Sequence, residues 1–515
     1  MKFDIGKAEF IRLAKDRPAI IQLKASVKAD CSPLELYASL DKKCAYLLES
    51  VEKEKKHARF SFVGSEPDAI VTIKNRMVSL EYPHMTSLTG LIGESLSKIC
   101  EKKNNDTKSD INGKTYILKS GFDTMDAIRS AFCASGLKFK GPGFDRQTFL
   151  GGAIGYCSYD MVYTCWLDIP QKKSQTPDAQ FALTTKTVVF DHLTNETFIV
   201  ITPFVLGGDN AEEIYNKALE DAFKLASTIG SARRFTLAKN KPLKITCNMQ
   251  KSEYEEIVRK AKQHIIDGDI FQVVLSRRYE VTTEQTPLEL YSALRSVNPS
   301  PYMYLFEFNG TAIIGASPET LMSVHDRKVI INPIAGTCPR GKTPAEDEDF
   351  AKEMLGSEKE KAEHVMLVDL GRNDVRMVSK GGTVKVDDFM SVIKYSHVQH
   401  IESTVSGELR DECDQFDATR AIFPAGTLSG APKIRAMEII DDLEKDARGI
   451  YGGGVGYYSW NGDADFAIVI RTIIKNGTKA IVQAGAGIVA DSDPEYEYDE
   501  TERKMAAMIK AIGGT

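Results

Sequence analysis

Two pairs of glutamates have the spacing that puts carboxylates on one face of a helix. Glu360 and Glu363 lie three residues apart in a charged segment, and Glu497 and Glu500 repeat this spacing near the end of the chain, after an Asp-Pro helix start. Carboxylates in this number suit Mg²⁺, which binds one or two of them together with waters and an anionic substrate. Because the chain has 72 acidic residues, two solvated helix faces remain the alternative to a magnesium site.

Two glycine-rich segments favour a small anionic ligand. In "FPAGTLSGAPKIRAMEII", Thr427 and Ser429 precede a predicted helix, whose N-terminus attracts anions. In "QAGAGIVADSDP", Gly485, Ala486 and Gly487 follow a predicted strand and let a ligand approach the backbone closely. Neither segment is a phosphate loop, since GxxxxGK[ST] is absent and no GxGxxG opens a helix. We therefore predict a small carboxylate ligand bound with Mg²⁺; the alternative is a helix cap and a strand turn.

The composition is typical of a soluble globular protein. Hydrophobic residues make up 42% and charged residues 27% of the 515 residues, and no apolar run is long enough for a membrane span. A net charge of -6 gives no indication of a nucleic-acid surface. Nine cysteines without a CxxC pair argue against a zinc site and a disulfide framework. Since the first residues lack the apolar region of a signal peptide, we predict a cytoplasmic protein with no membrane and no nucleic-acid partner.

Short segments recur in the same order along the chain. "SPLELYASL" from Ser32 returns as "TPLELYSAL" from Thr286, "FSFVGSEPD" from Phe60 parallels "TAIIGASPE" from Thr311, and "GGAIGYCSY" parallels "GGGVGYYSW". The first pair begins as a capped helix, with Ser or Thr, then Pro, and Glu three residues after the cap. We predict a duplication; chance similarity of short apolar motifs is the alternative.

The two repeated units are predicted to be residues 1–245 and 246–515. The offset between matching glycines is 251 residues from position 64 to 315 but 301 from position 155 to 456, so the second unit has gained 50 residues. These fall between about Lys342 and Gly452, where the first glutamate pair lies. Irregular alternation of strands, such as the one predicted over residues 467–475, with helices favours a layered α/β sandwich over a doubly wound sheet.

Seven motifs occur in a fixed order: "LLES", "GASPE", "PIAGT", "AEHVMLVDLGRND", "FPAGTLSGAPK", "GGGVGY" and "QAGAGIV". Together they resemble the chorismate-utilising enzymes, and among these the large subunits of anthranilate synthases, over nearly the whole chain. The resemblance implies an α/β (α+β) fold, a large multilayer sandwich of two packed, mainly antiparallel β-sheets flanked by helices and built from two similar halves. It also implies that the enzyme depends on Mg²⁺ and converts chorismate and ammonia to anthranilate and pyruvate.

The resemblance further implies roles for individual residues. Glu319 would protonate the departing ring hydroxyl as ammonia adds, and His400 would accept a proton when pyruvate is eliminated. The metal ligands would be Glu363 and Glu500, with Glu360 and Glu497 supporting them through water. The substrate-binding residues would be Gln272, Gly336, Thr337, Thr427, Tyr457, Arg471, Gly485, Ala486 and Gly487; Tyr457 and Arg471 would hold the enolpyruvyl carboxylate and the glycine-rich backbone the ring carboxylate.

Two residues bear on which product is formed. Related isochorismate and salicylate synthases have a lysine base where this chain has Gln272, and a glutamine cannot deprotonate water. Aminodeoxychorismate synthases typically have "PIKGT", whose lysine can act as a nucleophile, where this chain has Ala335. Cys338 replaces the usual arginine of "PIAGTRPRG". The alternatives are an aminodeoxychorismate or aminodeoxyisochorismate synthase, and a non-catalytic regulator that binds chorismate or an amino acid.

Regulation and partnership are implied in the same way. In anthranilate synthases, segments resembling "LLES" and "NPSPYM" bind tryptophan as a feedback inhibitor, one in each half of the chain. The chain has no G-x-C-x-G nucleophile elbow of its own, so glutamine would be used only through a separate glutamine amidotransferase subunit in a heteromeric complex, expected to be a heterotetramer. The inhibitor-binding residues would be Leu48, Glu49, Ser50, Asn298, Pro299, Ser300, Pro301, Tyr302 and Met303.

Overall fold

Helices begin at the capping residues that the sequence provides. Ser32 and Thr286, at the start of the repeated segment, each accept a hydrogen bond from the backbone N–H of the glutamate three residues later, and that glutamate binds the N–H of the cap. A proline follows each cap, where its missing N–H leaves no helical bond unmade. The repeated segment is therefore one capped helix that occurs twice, as predicted.

The computed structural model describes residues 1–41, 43–50, 59–102, 112–133, 137–167, 169–232, 234, 244–395 and 398–513. Most of the predicted connection between the two units, residues 231–244, lies outside these residues, and the boundary near residue 245 stays a prediction. The α-helices within the described ranges are α1 Lys7–Leu13, α2 Pro33–Ala38, α3 Ser87–Ile99, α4 Thr124–Phe132, α5 Val162–Cys165, α6 Ala211–Ser231, α7 Lys251–Ile266, α8 Pro287–Val297, α9 Pro344–Gly356, α10 Glu358–Arg376, α11 Gln415–Ile422, α12 Lys433–Leu443 and α13 Pro494–Ala511.

The β-strands alternate irregularly with these helices. In chain order they are β1 Ala19–Ile21, β2 Leu23–Val27, β3 Cys44–Glu49, β4 Phe60–Ser65, β5 Ala69–Lys74, β6 Met77–Tyr82, β7 Cys100–Lys102, β8 Asn112–Leu118, β9 Lys138–Lys140, β10 Gly152–Cys157, β11 Ala179–Thr184, β12 Lys186–Asp191, β13 Glu196–Ile201, β14 Phe204–Val205, β15 Lys244–Cys247, β16 Gln272–Thr282, β17 Tyr302–Phe308, β18 Thr311–Ser317, β19 Thr320–His325, β20 Lys328–Ile331, β21 Ile334–Pro339, β22 Lys385–Lys394, β23 Val398–Glu408, β24 Gly430–Ala431, β25 Gly454–Ser459, β26 Ala464–Ile468, β27 Thr472–Asn476 and β28 Lys479–Ile488.

Two large sheets form the centre of the fold. The first has 13 strands in the order β21-β23-β20-β19-β26-β25-β10-β11-β5-β6-β8-β7, with β22 paired to β23. The second has 12 strands in the order β15-β16-β28-β27-β18-β17-β3-β4-β12-β13-β2, with β24 paired to β16. A small third sheet, β14-β1-β9, contains a parallel pair, β1 with β9. Aromatic and aliphatic side chains from both large sheets lie between them, among them Tyr46, Phe62, Tyr304 and Tyr457. The predicted sandwich of two mainly antiparallel sheets is confirmed.

The repeated segments meet at the middle of each sheet. In the first sheet β10 pairs with β25, and Gly155 lies opposite Gly456. In the second sheet β3 pairs with β17, and the repeated strands β4 and β18 lie on their outer sides. The two halves therefore share both sheets and the core between them, and the additional segment predicted after Lys342 folds into α9 to α12 and β22 to β24.

One predicted strand is interrupted. Residues 467–475 do not form a single strand, because β26 ends at Ile468 in the first sheet and β27 begins at Thr472 in the second. Arg471, between them, has a φ of +49 and turns the chain from one sheet to the other. Among the described helices, none is both long enough and apolar enough to span a membrane.

The central glycine pair leads to a stability prediction. A Cβ added at Gly456 would lie 1.9 Å from the carbonyl oxygen of Asp465, so Gly456→Ala should force β25 and β26 apart. We expect a loss of roughly 3 kcal/mol in the free energy of unfolding, measured by urea denaturation. Gly90→Ala is the control, since a Cβ at Gly90 in α3 meets no atom within 4 Å and alanine favours a helix. Equal stability of the two variants would contradict the prediction.

Candidate active site

Glu319 lies at the turn between β18 and β19, and a distant segment binds its carboxyl group. Thr427, in a 3-10 turn over Gly426–Leu428 and not at the N-terminus of α12, donates its hydroxyl to Oε1 of Glu319 at 2.8 Å. Burial raises the pKa of Glu319 to about 7, and Thr427, Lys504 and Arg471 act in the opposite direction. The carboxyl group is therefore partly protonated near neutral pH, as a general acid requires.

His400 lies on β23 and is 8% exposed. Its Nδ1 is 2.9 Å from the carbonyl oxygen of Gly336 and 3.1 Å from the hydroxyl of Thr337. Because a carbonyl only accepts, Nδ1 carries the proton and Nε2 keeps a free lone pair. Burial lowers the pKa of His400 to about 4, although the bond to Gly336 opposes this shift. The imidazole is thus neutral at pH 7 and able to accept a proton at Nε2.

The segment around Gly336 brings the first glutamate helix to His400. Gly336 has a φ of +64, which favours glycine, and a Cβ added there would lie 3.1 Å from Oε2 of Glu360 on α10. Its neighbour Ala335 is buried opposite Ile401 on β23. The "PIAGT" motif therefore lies between α10 and the strand that carries the histidine.

The four predicted metal-binding glutamates lie on two helices, as expected. Glu360 and Glu363 are on α10, and Glu497 and Glu500 are on α13. Burial raises the pKa of Glu363, and the charges of Glu360 and Glu500 raise it further. Burial also raises the pKa of Glu497, and Glu500 adds to that shift. Since the charge of Glu500 on α13 raises the pKa of Glu363 on α10, the two pairs lie near one another.

These carboxylates do not form a closed set of ligands by themselves. Among the described residues, the group whose ligand atoms all lie within 4.8 Å of one another is His325, Asp326 and Asp463, at the turn after β19. Lys504 lies beside the glutamates, with Nζ 2.6 Å from Glu500 and 3.0 Å from a backbone carbonyl of β28. Hard oxygen donors that repel one another fit a divalent cation such as Mg²⁺ by their chemistry.

Arg471 adds an uncompensated positive charge to the site. Its guanidinium forms no hydrogen bond or ion pair with another residue in the described ranges. Burial lowers its pKa, and the charge of Glu319 acts in the opposite direction. The fork of an arginine matches a carboxylate, so a partly buried guanidinium without a partner indicates an anionic ligand.

Two glycine amides of β28 point away from its partner strand. Gly485 lies opposite Ser276 and Gly487 opposite Val274 in the ladder with β16. The N–H groups of Val274 and Ser276 donate away from β28, at 3.0 Å to a carbonyl and at 2.7 Å to a carboxylate. Val274 with Gly487 and Ser276 with Gly485 are therefore non-hydrogen-bonded pairs, and in such a pair the N–H groups of both residues point away from the partner strand. The N–H groups of Gly485 and Gly487 therefore face the other edge of β28.

That edge is open next to the glycines. The ladder with β27 ends where Ile473 lies opposite Val482, so β28 continues past it. Ala486 pairs with Leu275, which by alternation directs its N–H into the ladder with β16. Gly485 and Gly487 can thus donate to a ligand, whereas the amide of Ala486 is used within the sheet. The sequence had predicted that these residues follow a strand, and this was wrong, since they lie within β28.

The structure places Tyr451, and not Tyr457, beside the glycine edge. The ring of Tyr457 packs against Phe62 and Phe149 in the core between the sheets, with centroids 5.7 and 5.0 Å away. The hydroxyl of Tyr451 would lie 3.0 Å from a Cβ added at Gly485. Sequence analysis missed Tyr451 and Lys504; their signals are the place of Tyr451 directly before the "GGGVGY" motif and the spacing of Lys504 four residues after Glu500.

Gln272 also lies next to the glycine edge. It is 4% exposed, and its Nε2 is 2.7 Å from the position of a Cβ at Gly487. Its Oε1 is buried without a hydrogen-bond partner in the described part of the chain. A buried acceptor without a partner costs free energy, which a donating ligand would recover.

Most predicted inhibitor residues line a separate cavity of about 410 Å³ between the sheets. The residues that line it include Leu48, Glu49, Ser50, Pro301, Tyr302, Met303 and also Tyr457. Asn298, Pro299 and Ser300 are outside this lining: Asn298 ends α8, and Ser300 is buried with its hydroxyl 3.4 Å from the carbonyl of Asn298. The two predicted segments thus meet at one cavity, although three of the nine predicted residues do not line it.

The cavity reaches the neighbourhood of both candidate catalytic residues. Pro318 and Thr320, on either side of Glu319, belong to its lining, and so does Tyr395. The ring of Tyr395 lies edge-on to His400 at 5.5 Å, and its hydroxyl donates to the carbonyl of Pro318 at 3.3 Å. A ligand in the cavity would therefore contact the backbone that positions Glu319.

Comparison with known proteins identifies the family to which the chain belongs. Residues 96–510 match the family described as chorismate binding enzyme. The chain is 45% identical to anthranilate synthase component 1 2 of Haloarcula marismortui over 99% of this chain and 96% of that protein, and 45% identical to anthranilate synthase component 1 of Haloferax volcanii over 99% and 97%. The crystal structure of anthranilate synthase component I from Streptococcus pneumoniae superposes with a TM-score of 0.68 at 32% identity, covering 93% of this chain and 97% of that one. This chain belongs to the chorismate-binding enzyme family.

Proposed function

We propose that this protein is the large subunit of an anthranilate synthase, which converts chorismate and ammonia to anthranilate and pyruvate for tryptophan biosynthesis. The observation that carries the proposal is the arrangement of a protonatable Glu319, a neutral His400 and an unpaired Arg471 around one site. The names of relatives with 45% identity over 99% of the chain support it. Localisation in the cytoplasm stays a prediction.

Substrate binding would use three groups of the site. Arg471 would bind the enolpyruvyl carboxylate through two parallel N–H bonds, with the hydroxyl of Tyr451 in the place we predicted for Tyr457. The N–H groups of Gly485 and Gly487 would donate to the ring carboxylate at the open edge of β28. Glu363 and Glu500 would hold Mg²⁺, with Glu360 and Glu497 supporting it through water. When bound, the ion would neutralise the ring carboxylate.

The amination step needs an acid because hydroxide is a poor leaving group. Glu319 would give its proton to the ring hydroxyl, which leaves as water while ammonia forms a bond to the ring at C2 and the ring double bonds shift. The ammonium group formed at C2 would then lose one proton to solvent. The Thr427 hydroxyl would keep the carboxyl group oriented toward the hydroxyl. Each such proton transfer is typically worth about 10²- to 10⁴-fold in rate.

The elimination step needs a base. Nε2 of His400 would accept the proton at C2 of the intermediate while the bond between the ring carbon and the enolpyruvyl oxygen breaks. The ring becomes aromatic, and the group leaves as the enolate of pyruvate, which takes up a proton from solvent to give pyruvate. The bond from Nδ1 to Gly336 fixes the tautomer that this step requires. Gln272 in place of a lysine disfavours water addition, and Ala335 in place of a lysine disfavours the aminodeoxychorismate route. The turnover assay described below distinguishes this reaction from that of a synthase that stops at aminodeoxyisochorismate, and from a non-catalytic regulator.

Ammonia would come from a partner. The name component 1 of the relatives implies a second component, and we propose a glutamine amidotransferase subunit in a heterotetramer. Tryptophan would inhibit by binding in the cavity between the sheets, where Glu49 is already paired with Tyr291 at 2.6 Å and Arg295 at 3.0 Å. The aromatic walls suit an indole, and binding would act on Glu319 through Pro318 and Thr320.

The first test is turnover with chorismate, Mg²⁺ and an ammonium salt, followed by anthranilate fluorescence and pyruvate release. Glu319→Gln should lower kcat by about 10²- to 10⁴-fold, because glutamine cannot donate the proton. For the wild type, kcat/KM per free ammonia should fall as pH rises through about 7, where Glu319 loses its proton, and Glu319→Gln should lack this limb. Glu408→Gln, at an exposed ion pair, is the control. Consumption of chorismate without release of pyruvate would indicate a synthase that stops at aminodeoxyisochorismate. If no chorismate were consumed, the protein would be a non-catalytic regulator.

The metal assignment has its own test. Glu500→Gln should raise the Mg²⁺ concentration for half-maximal activity by about tenfold or more, because an amide is a weaker ligand than a carboxylate. Asp326→Asn is the matched control, since it removes a carboxylate from the His325, Asp326 and Asp463 group instead. If the control had the larger effect, the glutamate assignment would be wrong.

The inhibitor cavity is tested by changing its apolar wall. Leu48→Gln should weaken inhibition by tryptophan by about tenfold, since a buried amide without a partner costs roughly 1–2 kcal/mol. The inhibition constant is measured relative to the uninhibited rate of each variant. Leu193→Gln, at a leucine that is 59% exposed, should be inhibited by tryptophan as strongly as the wild type. Unchanged inhibition of Leu48→Gln, or a wild type that tryptophan does not inhibit, would contradict the assignment.

A further inference from the structure

A buried ion pair lies directly behind the site. Glu444, at the end of α12, and Arg448 are only 5% and 4% exposed. Nε of Arg448 donates to Oε2 of Glu444 at 2.9 Å, and Nη2 donates to Oε1 at 2.6 Å. The pair is thus bidentate and shielded from water, the geometry that an arginine provides and a lysine does not.

The remaining donors and acceptors of the pair reach two backbone segments of the site. Nη1 of Arg448 donates to the carbonyl of Leu428 at 2.6 Å, and Nη2 donates to that of Val274 at 2.7 Å. Oε1 of Glu444 accepts from the N–H of Ser276 at 2.7 Å and from its hydroxyl at 3.0 Å. One ion pair therefore joins the turn before α12 to strand β16.

Each of these contacts lies one residue or one strand from a proposed substrate-facing group. Leu428 follows Thr427, whose hydroxyl binds Glu319. Ser276 lies opposite Gly485, and its bond to Glu444 belongs to the pattern that leaves the Gly485 amide at the open edge. The guanidinium of Arg448 also lies 5.9 Å from the ring centroid of Tyr451.

We propose that Glu444 and Arg448 are positioning residues for the chorismate site, setting the places of the Thr427 turn, the Tyr451 ring and the glycine edge of β28 together. This inference rests on the proposed function, since it concerns the same site. The pair contacts neither reacting atoms nor substrate; it acts through the residues that would.

The energetics support a role beyond stability. A buried ion pair is often no more stabilising than apolar residues of the same volume, because both charges lose their water. This pair compensates that loss with three hydrogen bonds to backbone groups and one to a hydroxyl, and these bonds fix the relative positions of the Thr427 turn and β16. A displacement of about 1 Å in such a site can cost 10²-fold in rate.

Arg448→Lys tests the proposal, because lysine keeps the charge but cannot form the fork. We expect the KM for chorismate to rise about tenfold or more and kcat to fall about tenfold or more per folded enzyme, with the fold intact by circular dichroism. The double variant Glu444→Gln with Arg448→Met removes both charges together and leaves no unpaired ion, so it should fold. It should show the same rise in KM.

Arg129→Lys is the matched control, since Arg129 also joins two carboxylates, Asp414 and Asp417, and within the described ranges forms no ion pair with a residue of the site. It should stay within about twofold of the wild type. If both pair variants had wild-type KM and kcat per folded enzyme, the pair would be structural only and the inference would be wrong. A wild type that forms no anthranilate would refute the proposed function instead; equilibrium binding of chorismate with Mg²⁺, read from protein fluorescence, would then still decide whether Arg448→Lys weakens the site.

Discussion

The pairing of β10 with β25 at Gly155 and Gly456 is the constraint on which the rest of the structure depends. A Cβ at Gly155 would lie 2.0 Å from the carbonyl oxygen of Gln180 on β11, and a Cβ at Gly456 would lie 1.9 Å from that of Asp465 on β26. Only glycine therefore allows these flanking strands to lie as close to β10 and β25 as they do. Through this pair and the equivalent pair of β3 with β17, both sheets run continuously from one half of the chain to the other. The site and the cavity therefore lie among strands of two sheets to which both halves contribute.

The predicted duplication aligns a structural carboxylate with a proposed catalytic one. The repeat aligns Gly64 with Gly315 and hence Asp68 with Glu319. In the first half, the carboxylate of Asp68 accepts both the N–H and the hydroxyl of Thr185, at 2.7 and 2.9 Å. In the second half, Glu319 is bound by the hydroxyl of Thr427. That carboxyl group lies near α10, whose Leu370 and Asp374 line the same cavity, and near Lys504 of α13.

Local features of the site were predictable from the sequence, whereas their assembly was not. Helix caps and the spacing of Glu360 with Glu363 depend on neighbouring residues, so both could be predicted. The bond between Thr427 and Glu319 joins residues 108 positions apart, and no local pattern specifies it. The prediction of Tyr457 rests on its motif alone; in a strand, alternate side chains point to opposite faces, and Tyr457 faces the core between the sheets. The turn at Arg471 leads the chain from the first large sheet to the second, and the local sequence does not show that β26 and β27 belong to different sheets.

The most direct measurement is a crystal of Glu319→Gln grown with Mn²⁺ and chorismate, with anomalous diffraction collected for manganese. If the metal ion and chorismate bind between α10 and α13, we expect an anomalous peak within coordination distance of Glu363 and Glu500. We also expect density for the chorismate carboxylates at Arg471 and at the amides of Gly485 and Gly487. A manganese peak only at His325, Asp326 and Asp463, or chorismate only in the aromatic cavity beside Tyr457, would contradict this placement of the site.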